Sequence, residues 1–212
     1  MISGTLYIFG SHSTALEIAE AALANSTTFN SAKFVVPEKE YSDRDLQIPI
    51  SDIATIKFSA HCGYILSMAN QRVRRSCLSI AKSNGLTPST VIHPTALISK
   101  TAQIGEGVYV GAHSIISVNA KIADHAMINF QVSVGHDASI ESHATVNPGA
   151  KISGNCSIGA RTLLGANSFV HQGRRVGEDC QVDALTHIDR DIADGMLCTS
   201  RNLKIVKRPF IQ

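Results

Sequence analysis

Every sixth residue from Ile92 onward is aliphatic: Ile98, Ile104, Val110, Ile116, Ile122, Ile128, Val134, Ile140, Val146, Ile152, Ile158, Leu164, Val170, Val176, Val182 and Ile188 follow without a break. Four residues after most of these stands a small side chain, from Ala96 and Ala102 through Ala138, Ala144 and Ala150 to Cys156, Thr162, Ser168, Cys180 and Thr186. A period of six fits neither an ordinary helix nor a lone hairpin. It fits a triangular coil in which each hexapeptide forms one side, the aliphatic residue points inward and the small residue fits the narrow interior. Three hexapeptides close one coil, so residues 18 apart stack in neighbouring coils at about the 4.8 Å spacing of β-strands. The expected architecture for residues 88–212 is a left-handed parallel β-helix with a C-terminal tail. Val108 and Val132 are mild exceptions at the small position, whereas Arg174 there predicts a bulge or a corner turned outward.

Residues 1–87 carry a different rhythm. Thr5 to Phe9 reads as a strand ending at Gly10, and Leu16, Ala19 and Leu23 give Thr14 to Leu23 helical spacing. Lys33 to Val36 and Gly63 to Ser67 are further strand candidates. Asn70 to Ser83 reads as a helix, with basic Arg72, Arg74 and Arg75 and apolar Val73, Cys77 and Ile80. Alternating strands and helices predict a small parallel α/β subdomain of Rossmann-like type, joined to the β-helix through Gly85 to Thr90.

Composition narrows the class. Hydrophobic residues make up 44% of 212, and 19 basic against 17 acidic residues leave a formal charge of +2. That balance gives no field pointing to nucleic acid as a partner. The five cysteines form no CxxC pair, which argues against a disulfide framework or a structural zinc site and fits a reducing cytoplasm. No segment approaches the roughly 20 apolar residues of a membrane span.

The turn Gly10-Ser-His-Ser-Thr14 offers two readings, a phosphate cradle at a helix start or a βα turn capped by Ser13 or Ser11. In the repeat region, Gly135-His136-Asp137 is the leading candidate for chemistry. Imidazole titrates near neutrality and can take a proton from an amine or hydroxyl, while a carboxylate can fix its tautomer. Neighbours on an extended strand point to opposite sides, so a contact between His136 and Asp137 requires a coil corner or a partner chain. The 18-residue register stacks Gly154 beside His136, where its amide can meet an oxyanion. His143 on the next side and Asn129 on the previous one are candidates for orienting substrate. An outward polar residue of a β-helix can equally be solvated surface. His113, His125 and His143 share the fourth position of their hexapeptides, so a metal site is conceivable, although none is expected. His93, His171 and His187 read as surface or tail positions, and Cys156 and Cys180 as packing residues.

The run Ile128-Asn-Phe-Gln-Val-Ser-Val-Gly-His-Asp137, with His143-Ala-Thr-Val-Asn-Pro-Gly-Ala150 and Ile158-Gly159, resembles the NeuD/PglD group of bacterial sugar acetyltransferases. The resemblance implies a Rossmann-like sugar-nucleotide domain followed by a left-handed β-helix, assembled as a homotrimer with active sites between subunits. It implies His136 as general base, Asp137 as its acidic partner, His143 as a substrate contact and Gly154 as amide donor to the thioester oxygen, while Asn129, from the coil register, and Gly10 and Ser11, from the strand-to-helix turn, are the further candidates for substrate binding. Gly154, Ala160, Gly165 and Ala184 would line the acetyl-CoA groove. The implied reaction is acetyl transfer to a nucleotide-linked amino-deoxysugar, or O-acetylation of sialic acid or a related sugar. A non-catalytic scaffold and metal-dependent hydration remain rival readings. The chain departs from the group at Gly10-Ser-His-Ser, at Val35-Val36-Pro37 and at Met68-Ala69-Asn70. Its tail, Cys198 to Lys204, lacks the proline-containing turn usual after the last coil.

Overall fold

Strand β1 (Gly4–Phe9) alternates Leu6 and Ile8 with Tyr7 and Phe9, and all four are buried because both faces of its sheet are covered. In the computed structural model, which describes residues 4–24, 28–37, 48–59 and 62–200, this strand is the centre of a five-stranded sheet. Its neighbours are β2 (Phe29–Val36) and β4 (Gly63–Leu66), flanked by β3 (Ile50–Asp52) and β5 (Thr87–Pro88) in the order β3-β2-β1-β4-β5. All pairings are parallel. Helix α1 (Ser13–Ala24) packs on Leu6, Ile8, Phe34 and Ile65. Helix α2 (Gln71–Ser83) contributes Cys77 and Ala81 to the opposite face with Tyr7, Phe9 and Tyr64. Its first turn is held by Asn70, whose side chain accepts the amides of Arg72 and Val73 at 3.0 and 3.1 Å. The short strands β3 and β5 were not expected from the sequence, and Pro88 sits where a strand without a further partner tolerates it, at the sheet edge.

From Val91 the chain winds into the left-handed parallel β-helix. Three parallel sheets of two-residue strands form its sides: seven strands from Val91–Ile92 to Leu197–Cys198, six from Leu97–Ile98 to His187–Ile188 and five from Gln103–Ile104 to Arg175–Val176. The register is the expected one, with Ile116 paired to Val134 and Val134 to Ile152. The second residue of each strand lies inside, and the small residue fills the space beside it: Ala120, Ala138, Ala144 and Ala150 are fully or almost fully buried. Several hydroxyls and thiols at the small position donate to carbonyls of the next coil, whereas those of Ser168 and Thr186 are buried without a partner. Ser114 Oγ donates to Asn129 at 2.7 Å, Thr162 Oγ1 to Gly177 at 2.6 Å and Cys156 Sγ to His171 at 3.1 Å. Cys156 and Cys180 are thus packing residues.

The corners obey a second rule. The fourth position of a hexapeptide takes φ near +60°, as at His113, Asn119, His125, Gln131, Asp137, His143 and Asn155. Asn, Asp and His enter this left-handed region more readily than most residues, so the histidines share a position because the corner favours them.

Arg174 causes no bulge. Its carbonyl accepts Ser157 N–H at 3.0 Å, and the adjoining strand keeps register with Ser157 and Ile158. The irregularity comes one coil later, where Gln181 pairs with Leu197 and Val176 with Ile192, so the last turn is two residues short. The tail residues 201–204 lie outside the described residues.

Candidate active site

The outward position of the first side is apolar at Val91, Tyr109 and Met127, and these three are buried under α1. Next to them, α2 lies on the corner between the third and first sides. Arg74 is 2% exposed. Its guanidinium donates to the carbonyls of Met68, at 2.7 Å, and of His125, while Gln71 Nε2 donates to the carbonyl of His143 at 3.0 Å. Burial lowers the Arg74 pKa to about 10, which leaves it charged at neutral pH.

This contact decides what His125 and His143 are. Their rings stack at 5.0 Å with an interplanar angle of 17°, and Tyr64 stacks on His125 at 6.0 Å. Parallel rings present faces to each other and do not converge lone pairs on one point. Among the described residues, no group of three or more His, Cys, Asp or Glu side chains is arranged to hold a metal ion. Burial, then the charge of Arg74, lowers both imidazole pKa values, that of His143 to about 4. Both rings are therefore neutral at pH 7. The sign of the resulting pH dependence is set by the unfolded chain, whose imidazoles titrate near 6.5 and take up protons that the folded rings refuse. Stability from these rings is fully present above about pH 6.5 and is lost as pH falls toward 4. Urea unfolding between pH 7 and 4 should show this loss, and His143→Asn, which suits the corner, should flatten it. Carboxylates add their own effect from about pH 5 downward, so the upper part of this window reports the imidazoles.

His136 and Asp137 stand on a different corner, between the second and third sides. Val134 is buried and His136 is half exposed, as expected for inward and outward positions. Asp137 occupies the corner residue with φ 57°, and this turn brings its Oδ2 to 2.8 Å from His136 Nδ1. The contact is thus made within one chain. The hydrogen bond from His136, then that from Asn119, holds the Asp137 carboxyl below the usual carboxylate range. An ionised carboxylate only accepts, so Nδ1 carries a proton, and in the neutral imidazole Nε2 is the nitrogen with the free lone pair. The ring lies over Gly154: a Cβ there would stand 2.5 Å from Nε2. The Gly154 amide takes no partner in the ladder, while its carbonyl accepts Gly173 N–H at 3.0 Å.

The other site candidates are spread over the molecule. His143 is at the corner under α2. Asn129, on the remaining corner, is 6% exposed and donates to Val146 O at 3.0 Å. Gly165 and Ala184 also share that corner, packed closely one coil apart, and Ala160 lies between the third and first sides. Gly10 and Ser11 follow β1. The Gly10 amide is committed to Val35 O at 3.1 Å, its Cα is covered by the Ser67 hydroxyl, and Ser11 is buried. One chain therefore joins His136, Asp137 and Gly154, and places Asn129 and His143 at the other two edges of the prism. The sequence reading missed Arg74 and Asn119.

A model of the hexapeptide repeat of succinyl-transferase matches residues 155–186. The acetyltransferase domain of PglB from Neisseria gonorrhoeae superposes with a TM-score of 0.83 at 25% identity, over 91% of this chain and 95% of that one. That domain is also solved in complex with acetyl coenzyme A. PerB from Caulobacter crescentus, in complex with CoA and GDP-perosamine, superposes with a TM-score of 0.80 at 25% identity, over 92% of this chain and 93% of its own. The chain has the fold of hexapeptide-repeat sugar acetyltransferases. The resemblance to the NeuD/PglD group holds across both parts of that fold. A curated relative, UDP-3-O-acylglucosamine N-acyltransferase of Lawsonia intracellularis, is 29% identical over 102 residues, 48% of this chain. The match spans about a quarter of that relative's length, 27%.

Proposed function

We propose that the protein transfers an acetyl group from acetyl-CoA to a bacterial sugar, with a nucleotide-linked amino-deoxysugar as the acceptor. The observation that carries this reading is the His136 imidazole, bonded through Nδ1 to Asp137 and presenting its Nε2 edge against Gly154. The acceptor nitrogen attacks the thioester carbonyl as His136 Nε2 takes its proton. The Gly154 amide donates to the oxyanion of the tetrahedral intermediate. When the C–S bond breaks, the imidazolium returns its proton to the departing thiolate, giving free CoA and the acetylated sugar. No acyl-enzyme is formed. The complexes of similar structures with acetyl coenzyme A, and with CoA and GDP-perosamine, support both substrates. A sugar hydroxyl attacked by the same steps would give the O-acetyl product.

The site is completed between subunits of a homotrimer. Asn129 and His143 lie on edges of the prism other than that of His136, and packing edges of neighbouring prisms would unite them. Leu97, Ile115 and Phe169 project from the second side, with Val118 and Phe130 on the flanking corners, and such exposed apolar groups suit burial between copies. Among the described residues no helix is long and apolar enough to cross a membrane, and free cysteines support a reducing cytoplasmic setting.

Screening amino-sugar nucleotides and free sugars with acetyl-CoA under thiol detection tests the reading. Thiol release that requires an acceptor, with initial rates fitting a ternary complex, is expected from a species sedimenting as a trimer. Ping-pong kinetics with a trapped acetyl-enzyme would exclude direct transfer.

A further inference from the structure

Asp137 has two carboxylate oxygens, and His136 uses only one. The other, Oδ1, accepts a hydrogen bond of 3.1 Å from Asn119 Nδ2. Asn119 stands one coil earlier at the same corner, with φ 57° matching that of Asp137. Its own backbone N–H is donated to Thr101 Oγ1 at 3.0 Å, so the main chain beneath the amide is itself tied to the preceding coil. A carboxylate gripped at one oxygen can still turn about Cβ–Cγ. Gripped at both, it is held in one plane.

We infer that Asn119 is a positioning residue for the reaction, locking the Asp137 carboxylate so that His136 keeps its proton on Nδ1 and its free Nε2 over Gly154. Its consequence for rate rests on the acetyl-transfer reading, whereas its effect on the imidazole tautomer does not. Asn119 lies behind the reacting centre: with Thr101, Lys121, Asp137 and Ser139 it lines an open groove on the side of the pair away from Gly154. It therefore acts through Asp137 and does not touch the reacting atoms. The direction of its bond follows from the chemistry of the partners, because an ionised carboxylate needs donors and the side-chain amide supplies one.

Two substitutions separate this role from corner geometry. Asn119→Gly keeps a residue at home at positive φ and removes the donor. Asn119→Asp keeps the shape and substitutes an acceptor that repels Asp137. In both, the backbone bond to Thr101 is available. Long-range 1H–15N correlation of the imidazole nitrogens, recorded where the ring is neutral, should show His136 as the Nδ1–H tautomer in the wild type and a mixture of tautomers in Asn119→Gly. With the natural acceptor, kcat should fall about 10-fold while the KM for acetyl-CoA stays within about two-fold, by analogy with the roughly 10–100-fold losses when the orienting partner of a metal-bound imidazole is removed. Asn119→Asp should not restore the rate. An unchanged His136 tautomer and unchanged kcat in Asn119→Gly would overturn the inference even in an active acetyltransferase. A tautomer shift in a protein that transfers no acetyl group would uphold the positioning role and remove the proposed function instead.

Discussion

Replacing His136 with alanine should lower kcat by about 10²–10⁴-fold, the usual contribution of a general base, while leaving the β-helix folded and acetyl-CoA binding within a few-fold of wild type. The side chain is half exposed and fills no interior space, since Val134 is the inward residue of its hexapeptide. Its loss removes the proton acceptor without opening a cavity. Asp137→Asn should cost less, because it weakens the hold on Nδ1 and leaves the base in place. His125 has no role implied by the resemblance, but it is a poor control. Its ring is packed between Tyr64 and His143 and its carbonyl takes Arg74, so His125→Ala would loosen the seat of α2. His113→Asn is the better one: the residue is exposed, lies on another corner and occupies a φ of 56° that asparagine accepts. Stopped assays of thiol release, with thermal melts on the same samples, check all three. A loss of turnover in His113→Asn and none in His136→Ala would remove His136 from the mechanism.

What the sequence carried most clearly was the phase of the solenoid. A hexapeptide period repeated from Ile92 to Ile188 fixes which side chains lie inside and which stack, and the observed pairing of Val134 with Ile152 follows from it. The stacking of Gly154 under His136 was legible for the same reason. Corner chemistry was less so, because a positive φ is written in residue preference and not in hydrophobic period: the shared position of His113, His125 and His143 suggested a ligand set where the backbone had selected the residue. Arg74 was hidden by its charge. The signal was present in its spacing, since positions 74, 77 and 81 share one face of α2 with buried Cys77 and Ala81, while apolar Val73 points outward and is 44% exposed. An arginine on that face needs carbonyl partners, and those belong to a corner 51 residues away in the chain, which no local pattern reveals. Likewise Asn119 joins Asp137 only through the coil register. In the proposed homotrimer, a meeting of the prism edges that carry Asn129, His136 and His143 would depend on neighbouring copies, which no pattern within one chain reveals.

Gly154→Ala should separate the presence of the base from its placement. Glycine has no side chain at the point where the His136 ring crosses the next coil, and a methyl group there would stand 2.5 Å from Nε2, 2.7 Å from Cε1 and 2.9 Å from Cδ2. Real carbon contacts do not persist at such separations, so one partner must move. The imidazole is the end of a half-exposed side chain, whereas Gly154 is tied into the coil through its carbonyl to Gly173. The ring therefore yields and the coil does not. Swung away from Gly154, Nε2 no longer meets the acceptor nitrogen as it attacks a thioester whose oxygen is held by the Gly154 amide, and misplacement by about 1 Å can cost on the order of 10²-fold in rate. The expected result is a kcat reduced by about that factor, an unchanged melting temperature and a His136 ring whose NMR signals are retained but displaced. Because Asp137 and Asn119 remain in place, the tautomer should shift far less than in Asn119→Gly. Wild-type turnover in Gly154→Ala would show that the reacting carbonyl does not lie between this amide and the imidazole, and the oxyanion donor would have to be sought elsewhere.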